Sequence, residues 1–168
     1  LQLACGWDEL CEGIHQMKPE KLIDSVRQYA DEVLDKCRDR YGCRATPLLI
    51  DGLEEGGTKP IRWEAHVLSN PARQQDFARV LEGLSALTGD KTYRSKAEEW
   101  LGFALKEMRD PNSDMQIWGG HASYDLESKA PLLGNHELKC VYPHYRLLYQ
   151  IDPQAVLAFV DGVWHKHI

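Results

Sequence analysis

The sequence predicts an all-α fold: antiparallel helical hairpins that form part of an α/α toroid, or incomplete barrel. Three observations predict it. Apolar residues recur at helical spacing through most of the chain. Asn-Pro and Asp-Pro pairs stand at the starts of two such stretches. Long polar or glycine-rich segments fall between the helices and would gather at one end. A plain helical bundle is the simpler arrangement of the same elements. The hairpin spacing is too irregular for a tetratricopeptide or ankyrin array. The 168 residues read as a single helical domain, 1–168, expected to be a fragment of a larger toroid.

The elements follow in order. From Pro19 to about Arg40, Leu22, Ile23, Val26, Tyr29, Ala30, Val33, Leu34 and Cys37 trace one helix face. Pro19 suits the first turn, and Gly42 lies just past the end. Residues 41–69 break that period. Thr46 to Gly52 reads as a short extended segment and a turn, and Glu55 to Pro60 as a second loop. Ile61 to Leu68 alternates in part, as a short strand or an irregular connection.

Asn70-Pro71 reads as a cap followed by the first helical position. That helix turns Phe77, Val80, Leu81, Leu84 and Leu87 to one side, and Gly89-Asp90 ends it. The next helix aligns Tyr93, Ala97, Trp100, Leu101, Ala104, Leu105 and Met108. About three residues join the pair, which predicts an antiparallel hairpin. Residues 115–135 are rich in aromatics and glycine and too long for a routine connection. A helix over about 137–150 follows, with Leu138, Val141, Tyr145, Leu148 and Tyr149 inward. Pro143 either kinks it or begins it. Asp152-Pro153 opens the last helix, with Val156, Leu157, Val160, Val163 and Trp164 inward.

Composition narrows the function. Hydrophobic residues make up 43% and charged residues 27%, the profile of a chain with a real core. No apolar run approaches the roughly 20 residues of a membrane span. The net charge of −6 argues against a nucleic-acid partner, although a local basic patch can still hold a polyanion. The five cysteines are odd in number and lack a CxxC pair. Cys37 and Cys140 fall on apolar faces and read first as buried thiols. Cys5–Cys11 or Cys37–Cys43 are the pairings open to an exported chain.

Several segments resemble a known group of proteins. Ser69-Asn70-Pro71-Ala72-Arg73-Gln74-Gln75-Asp76-Phe77 and Gly83-Leu84-Ser85-Ala86-Leu87-Thr88-Gly89-Asp90-Lys91-Thr92-Tyr93-Arg94 resemble the hairpin unit of α/α-toroid carbohydrate-active enzymes. Trp118-Gly119-Gly120-His121, Asn135-His136-Glu137-Leu138-Lys139 and Trp164-His165-Lys166-His167 are similar to segments of bacterial pectate-lyase-like toroid proteins. The resemblance covers roughly 45–168. It implies a secreted or periplasmic polysaccharide lyase that cleaves uronate-containing, pectate-like polysaccharide by β-elimination. The partner would be an acidic polysaccharide or oligosaccharide, together with the remainder of a larger toroid.

That chemistry removes a proton beside a carboxylate and expels the glycosidic oxygen. It requires a group that neutralises the carboxylate, a base, and an acid. Asn135 is the candidate to hold the carboxylate and His136 to take the proton. Tyr145 is a candidate acid, Arg146 and Lys139 are candidate clamps, and Trp63, Trp118 and Tyr124 are candidate sugar contacts. His121 follows two glycines and is the candidate ligand for a divalent metal, with His136 and Glu137 beside it in sequence. Asn135 as a helix cap with His136 exposed in the first turn is the competing reading. Two other functions stay open. A glycoside hydrolase needs two carboxylates, with Asp51, Glu54, Glu64 and Asp125 available in loops. A non-catalytic glycan-binding or helical interaction domain needs none.

Overall fold

The computed structural model describes residues 18–113, 115–119, 122–134 and 143–166. It is a mixed α/β fold, not an all-α one. Among the described residues five helices, α1 (Pro19–Lys36), α2 (Gln75–Thr88), α3 (Lys91–Glu107), α4 (Tyr145–Ile151) and α5 (Pro153–Lys166), accompany four short strands. The strands are β1 (Arg62–Trp63), β2 (His66–Ser69), β3 (Ser123–Asp125) and β4 (Ala130–Leu132). They form one antiparallel sheet in the order β1-β2-β3-β4. This corrects the expectation of an all-α chain. The two stretches read mainly as loops, 41–69 and 115–135, pair with each other. Strands of two to four residues are too short to leave a period-two signature.

The helices have readable local causes. Pro19 sits in the first turn of α1, and the Cys37 amide closes its end on the Val33 carbonyl. Gly89 adopts a left-handed φ of 77° past the end of α2, and its amide donates to the Ser85 carbonyl. Asp90 then caps α3 by accepting from the Thr92 amide at 2.9 Å. Asp152 accepts from the Ala155 amide at 2.9 Å at the start of α5. The α2 start is a correction. Residues 71–74 form turns in which Arg73 donates to Asn70 and Gln74 to Pro71, and the helix begins at Gln75. The helix expected over 137–150 begins at Tyr145, after Pro143.

The core lies where α2, α3 and the last two helices meet the sheet. Leu81, Trp100, Leu101, Leu105, Met108, Ile117, Trp118, Leu126, Leu147, Leu148 and Phe159 are buried, as are Leu48 and Val67. The α3 face predicted from spacing is buried as read. Other faces are rotated. Leu87, Leu157, Val160 and Trp164 stay exposed, and α5 buries Val156 as read together with Ala155, Phe159 and Gly162. Along α1 only Ala30 is fully buried, while Leu22, Val26 and Tyr29 are exposed. Cys37 and Cys43 are free thiols, so the 37–43 pairing is not formed. Cys5, Cys11 and Cys140 lie outside the described residues.

Two ties draw residues 37–50 onto the sheet. Asp39 is 2% exposed and accepts from the Tyr41 and Thr46 amides and the Thr46 hydroxyl, at 3.0, 2.9 and 2.6 Å. It also takes the Lys129 ammonium, itself almost fully buried. Gly42, with φ 66°, lies against the turn after β3. A Cβ there would stand 2.3 Å from the Glu127 carbonyl oxygen and 2.9 Å from that of Leu126. Gly42→Ala is therefore expected to cost about 2–4 kcal/mol, from the left-handed backbone and the clash together. Thermal denaturation of the variant checks this, and a loss below about 1 kcal/mol would show that the turn yields.

Candidate functional site

The sheet carries a cleft of about 510 Å³ between the β1–β2 hairpin and the first turns leading into α2. Period two in β2 builds one wall: His66 and Leu68 face the cleft, while Val67 and Ser69 are buried. Asp51, Arg62, Trp63, Asn70 and Arg73 complete the polar and aromatic lining. Trp63 is 63% exposed, an open ring at the rim. It precedes the two-residue turn Glu64-Ala65, where Glu64 holds a left-handed φ of 54°.

Behind this wall His66 pairs with Asp125. His66 Nδ1 lies 3.1 Å from Asp125 Oδ2, and Asp125 is 3% exposed. Asp125 also accepts from the Ser128 hydroxyl at 2.7 Å and the Glu127 amide at 3.1 Å. Burial works to raise its carboxyl, but the bonds from Ser128, Glu127 and His66 outweigh it and hold it below the ordinary carboxylate value. An ionised Asp125 can only accept, so Nδ1 is the donor of this pair and Nε2 is the ring nitrogen left for a ligand. Nε2 has no protein partner among the described residues.

The cations differ in availability. Arg62 is closed by a bidentate pair with Glu127, at 2.8 and 2.7 Å, and by the Ala65 carbonyl. Arg73 is exposed, its amide bonds Asn70, and its guanidinium makes no hydrogen bond among the described residues. Its positive charge acts on Asp51, which accepts from the Asn70 amide at 2.7 Å and Gln74 Nε2 at 3.1 Å. The enclosing protein pushes the Asp51 carboxyl up to about 6, although the residue keeps an exposed edge in the cleft. Water at that edge limits the energetic consequence of the shift.

Of the residues singled out in the sequence, Trp63 lines this cleft. Trp118 does not: it is 3% exposed and packs on Phe159, with ring centroids 5.1 Å apart. Tyr124 is 2% exposed and donates to the Lys129 carbonyl at 2.9 Å, so both rings belong to the core rather than to an open sugar-binding face. Tyr145 and Arg146 begin α4, away from the cleft lining. Tyr145 packs near Phe159, and burial pushes its hydroxyl above the ordinary value, which keeps it protonated. Arg146 donates to Glu82 at 2.7 Å, beside His144 at 2.8 Å. His121, Asn135, His136, Glu137 and Lys139 lie outside the described residues. Among the described residues, no three His, Cys, Asp or Glu side chains gather as a metal site.

Sequence reasoning missed His66, Arg62 and Arg73, and did not pair Asp125. One signal was legible: Asp125 stands three residues before Ser128, the spacing of a side-chain-capped turn. The partner His66 lies 59 residues away and left none.

A pectate disaccharide-lyase of Dickeya dadantii (strain 3937) is 33% identical over 159 residues, covering 87% of this chain and 27% of that protein. The chain thus spans about a quarter of the length of this relative. Residues 46–168 match the family described as periplasmic pectate lyase. With most of its length so matched, the chain belongs to the periplasmic pectate lyase family.

Proposed function

We propose that the protein cleaves uronate-containing, pectate-like polysaccharide by β-elimination, as a lyase acting in the periplasm or outside the cell. Family membership over residues 46–168 carries this reading. The cleft supports it, because an open indole, an unpaired guanidinium and an oriented imidazole suit an acidic sugar chain. In the reaction a base takes the C5 proton and the C4–O bond breaks, leaving a C4=C5 double bond. Charge on the developing enolate must be neutralised.

Asn135 and His136 are proposed to hold the carboxylate and take the proton. Tyr145 and Arg146 are proposed as acid and clamp, Lys139 as a further substrate contact, and His121 as a metal ligand. Residues 1–168 are proposed as one domain of the acting protein, whose further parts would complete the cleft.

The test is ultraviolet absorbance of the unsaturated product from pectate, alginate and glucuronan, with and without chelator. Rising absorbance is expected with pectate, and His136→Ala is expected to abolish it while the melting curve stays unchanged. New reducing ends without absorbance would overturn elimination in favour of hydrolysis. Silence in both assays would leave a glycan-binding domain.

A further inference from the structure

We infer that the cleft of Trp63, His66 and Arg73 is a uronate-binding subsite, with Trp63 as the ring platform and Arg73 as the carboxylate clamp. The choice of polymer rests on the lyase reading; the chemistry of the subsite rests on the cleft itself. Trp63 is held at the rim by the β1–β2 register, in which it pairs with His66. Its exposed face offers a large apolar surface to the C–H face of a sugar at little conformational cost. His66 stands opposite it in the ladder, with Nδ1 committed to Asp125 and Nε2 left to meet a sugar hydroxyl.

Arg73 decides the charge of the ligand. A guanidinium recognises a carboxylate best through two parallel hydrogen bonds, and only an uncommitted one can supply them. Arg62 is already engaged in that way by Glu127. Arg73 is not engaged, and it is exposed within the same lining. Asp51 and Glu64 are the opposing charges in this lining. Asp51 directs one oxygen to the Asn70 amide and Gln74 and sits close enough to Arg73 to compete with a bound carboxylate. The subsite therefore weakens its own grip through Asp51, so a neutral residue there should tighten it. An amide at position 51 keeps an oxygen for the Asn70 and Gln74 donors, so the fold should tolerate it.

The test is calorimetric binding of trigalacturonate and of its methyl ester to the full-length protein, with thermal denaturation to confirm folding. Arg73→Ala is expected to weaken the acid about tenfold or more and leave the ester unchanged. Asp51→Asn is expected to tighten the acid alone. Trp63→Ala is expected to weaken both ligands about tenfold. Equal loss of acid and ester with Arg73→Ala would overturn the clamp, and unchanged binding with Trp63→Ala would overturn the subsite. The two readings fail separately. Binding of this pattern without elimination product keeps the subsite and rejects the lyase. Elimination with unaffected binding in the Arg73 and Trp63 variants keeps the lyase and rejects the subsite.

Discussion

Asp39→Ala is expected to cost about 3–5 kcal/mol, enough to leave much of the protein unfolded in mild urea. Asp39 and Lys129 are both almost fully buried, at 0% and 6% side-chain exposure. Removing the carboxylate strands the ammonium in the interior and frees the Tyr41 and Thr46 donors together. The loss should exceed that of Thr46→Val, which deletes one hydroxyl that donates to Asp39 and accepts from the Leu48 amide, and costs about 1–2 kcal/mol. Urea denaturation followed by circular dichroism checks both. An Asp39→Ala loss no larger than that of Thr46→Val would show that water reaches Lys129 and that the pair is not a structural tie.

The second large effect belongs to Asp125. Asp125→Ala is expected to destabilise the fold by about 2–4 kcal/mol, since several hydrogen bonds to one charged group disappear at once. It should also release the His66 ring, so the nitrogen-15 shifts of His66 would move from one fixed tautomer toward a mixture. Asp125→Asn separates charge from shape and adds a pH dependence. The native carboxyl lies below its unfolded value, so its stabilisation is complete above the unfolded carboxylate range. It is lost as pH falls through the depressed native value. The stability gap between the native protein and Asp125→Asn should thus be widest near neutral pH and shrink below about pH 4. A gap that stays constant from pH 7 to pH 3 would show that Asp125 carries no ionised bond in the fold.

These two carboxylates mark the limit of what the sequence conveys. The α3 face was legible because Tyr93, Ala97, Trp100, Leu101, Ala104, Leu105 and Met108 keep the 3.6-residue period over 16 residues, and all are buried. The Gly89-Asp90 junction was legible because a left-handed stop and an Asp cap are local chemistry. The sheet was not. β1 has two residues, and its turn is Glu64-Ala65, without the Asn-Gly or Asp-Gly pair that announces a tight hairpin. The last helix misled for another reason. Val156, Leu157, Val160 and Trp164 are spaced as a core stripe, yet of these only Val156 is buried, and the stripe that packs runs on to Phe159 and Gly162. Hydrophobic spacing shows a face but not which neighbour claims it. At the site, Trp63 was legible as an aromatic ring in a loop-rich region. His66 and Arg73 were not, because their roles depend on Asp125 and on the closure of Arg62 by Glu127, 65 residues away.

The central strand β2 also sets which changes the molecule can absorb. It pairs with β1 through His66 and Val67 and with β3 through Leu68 and Ser69, so both its edges are committed. Its alternation is binary: two side chains face the cleft and two face the core. A substitution alters one position, but a single inserted or deleted residue inside 66–69 exchanges the two sets. Val67 and Ser69 would then line the cleft, and His66 would enter the core away from its carboxylate. The strand behaves as a reading frame of period two. Lineages of this fold should therefore vary the cleft by exchange at 66 and 68, while length variation gathers in the turn at 55–60 rather than at 126–129, where Lys129 and Gly42 fix the chain.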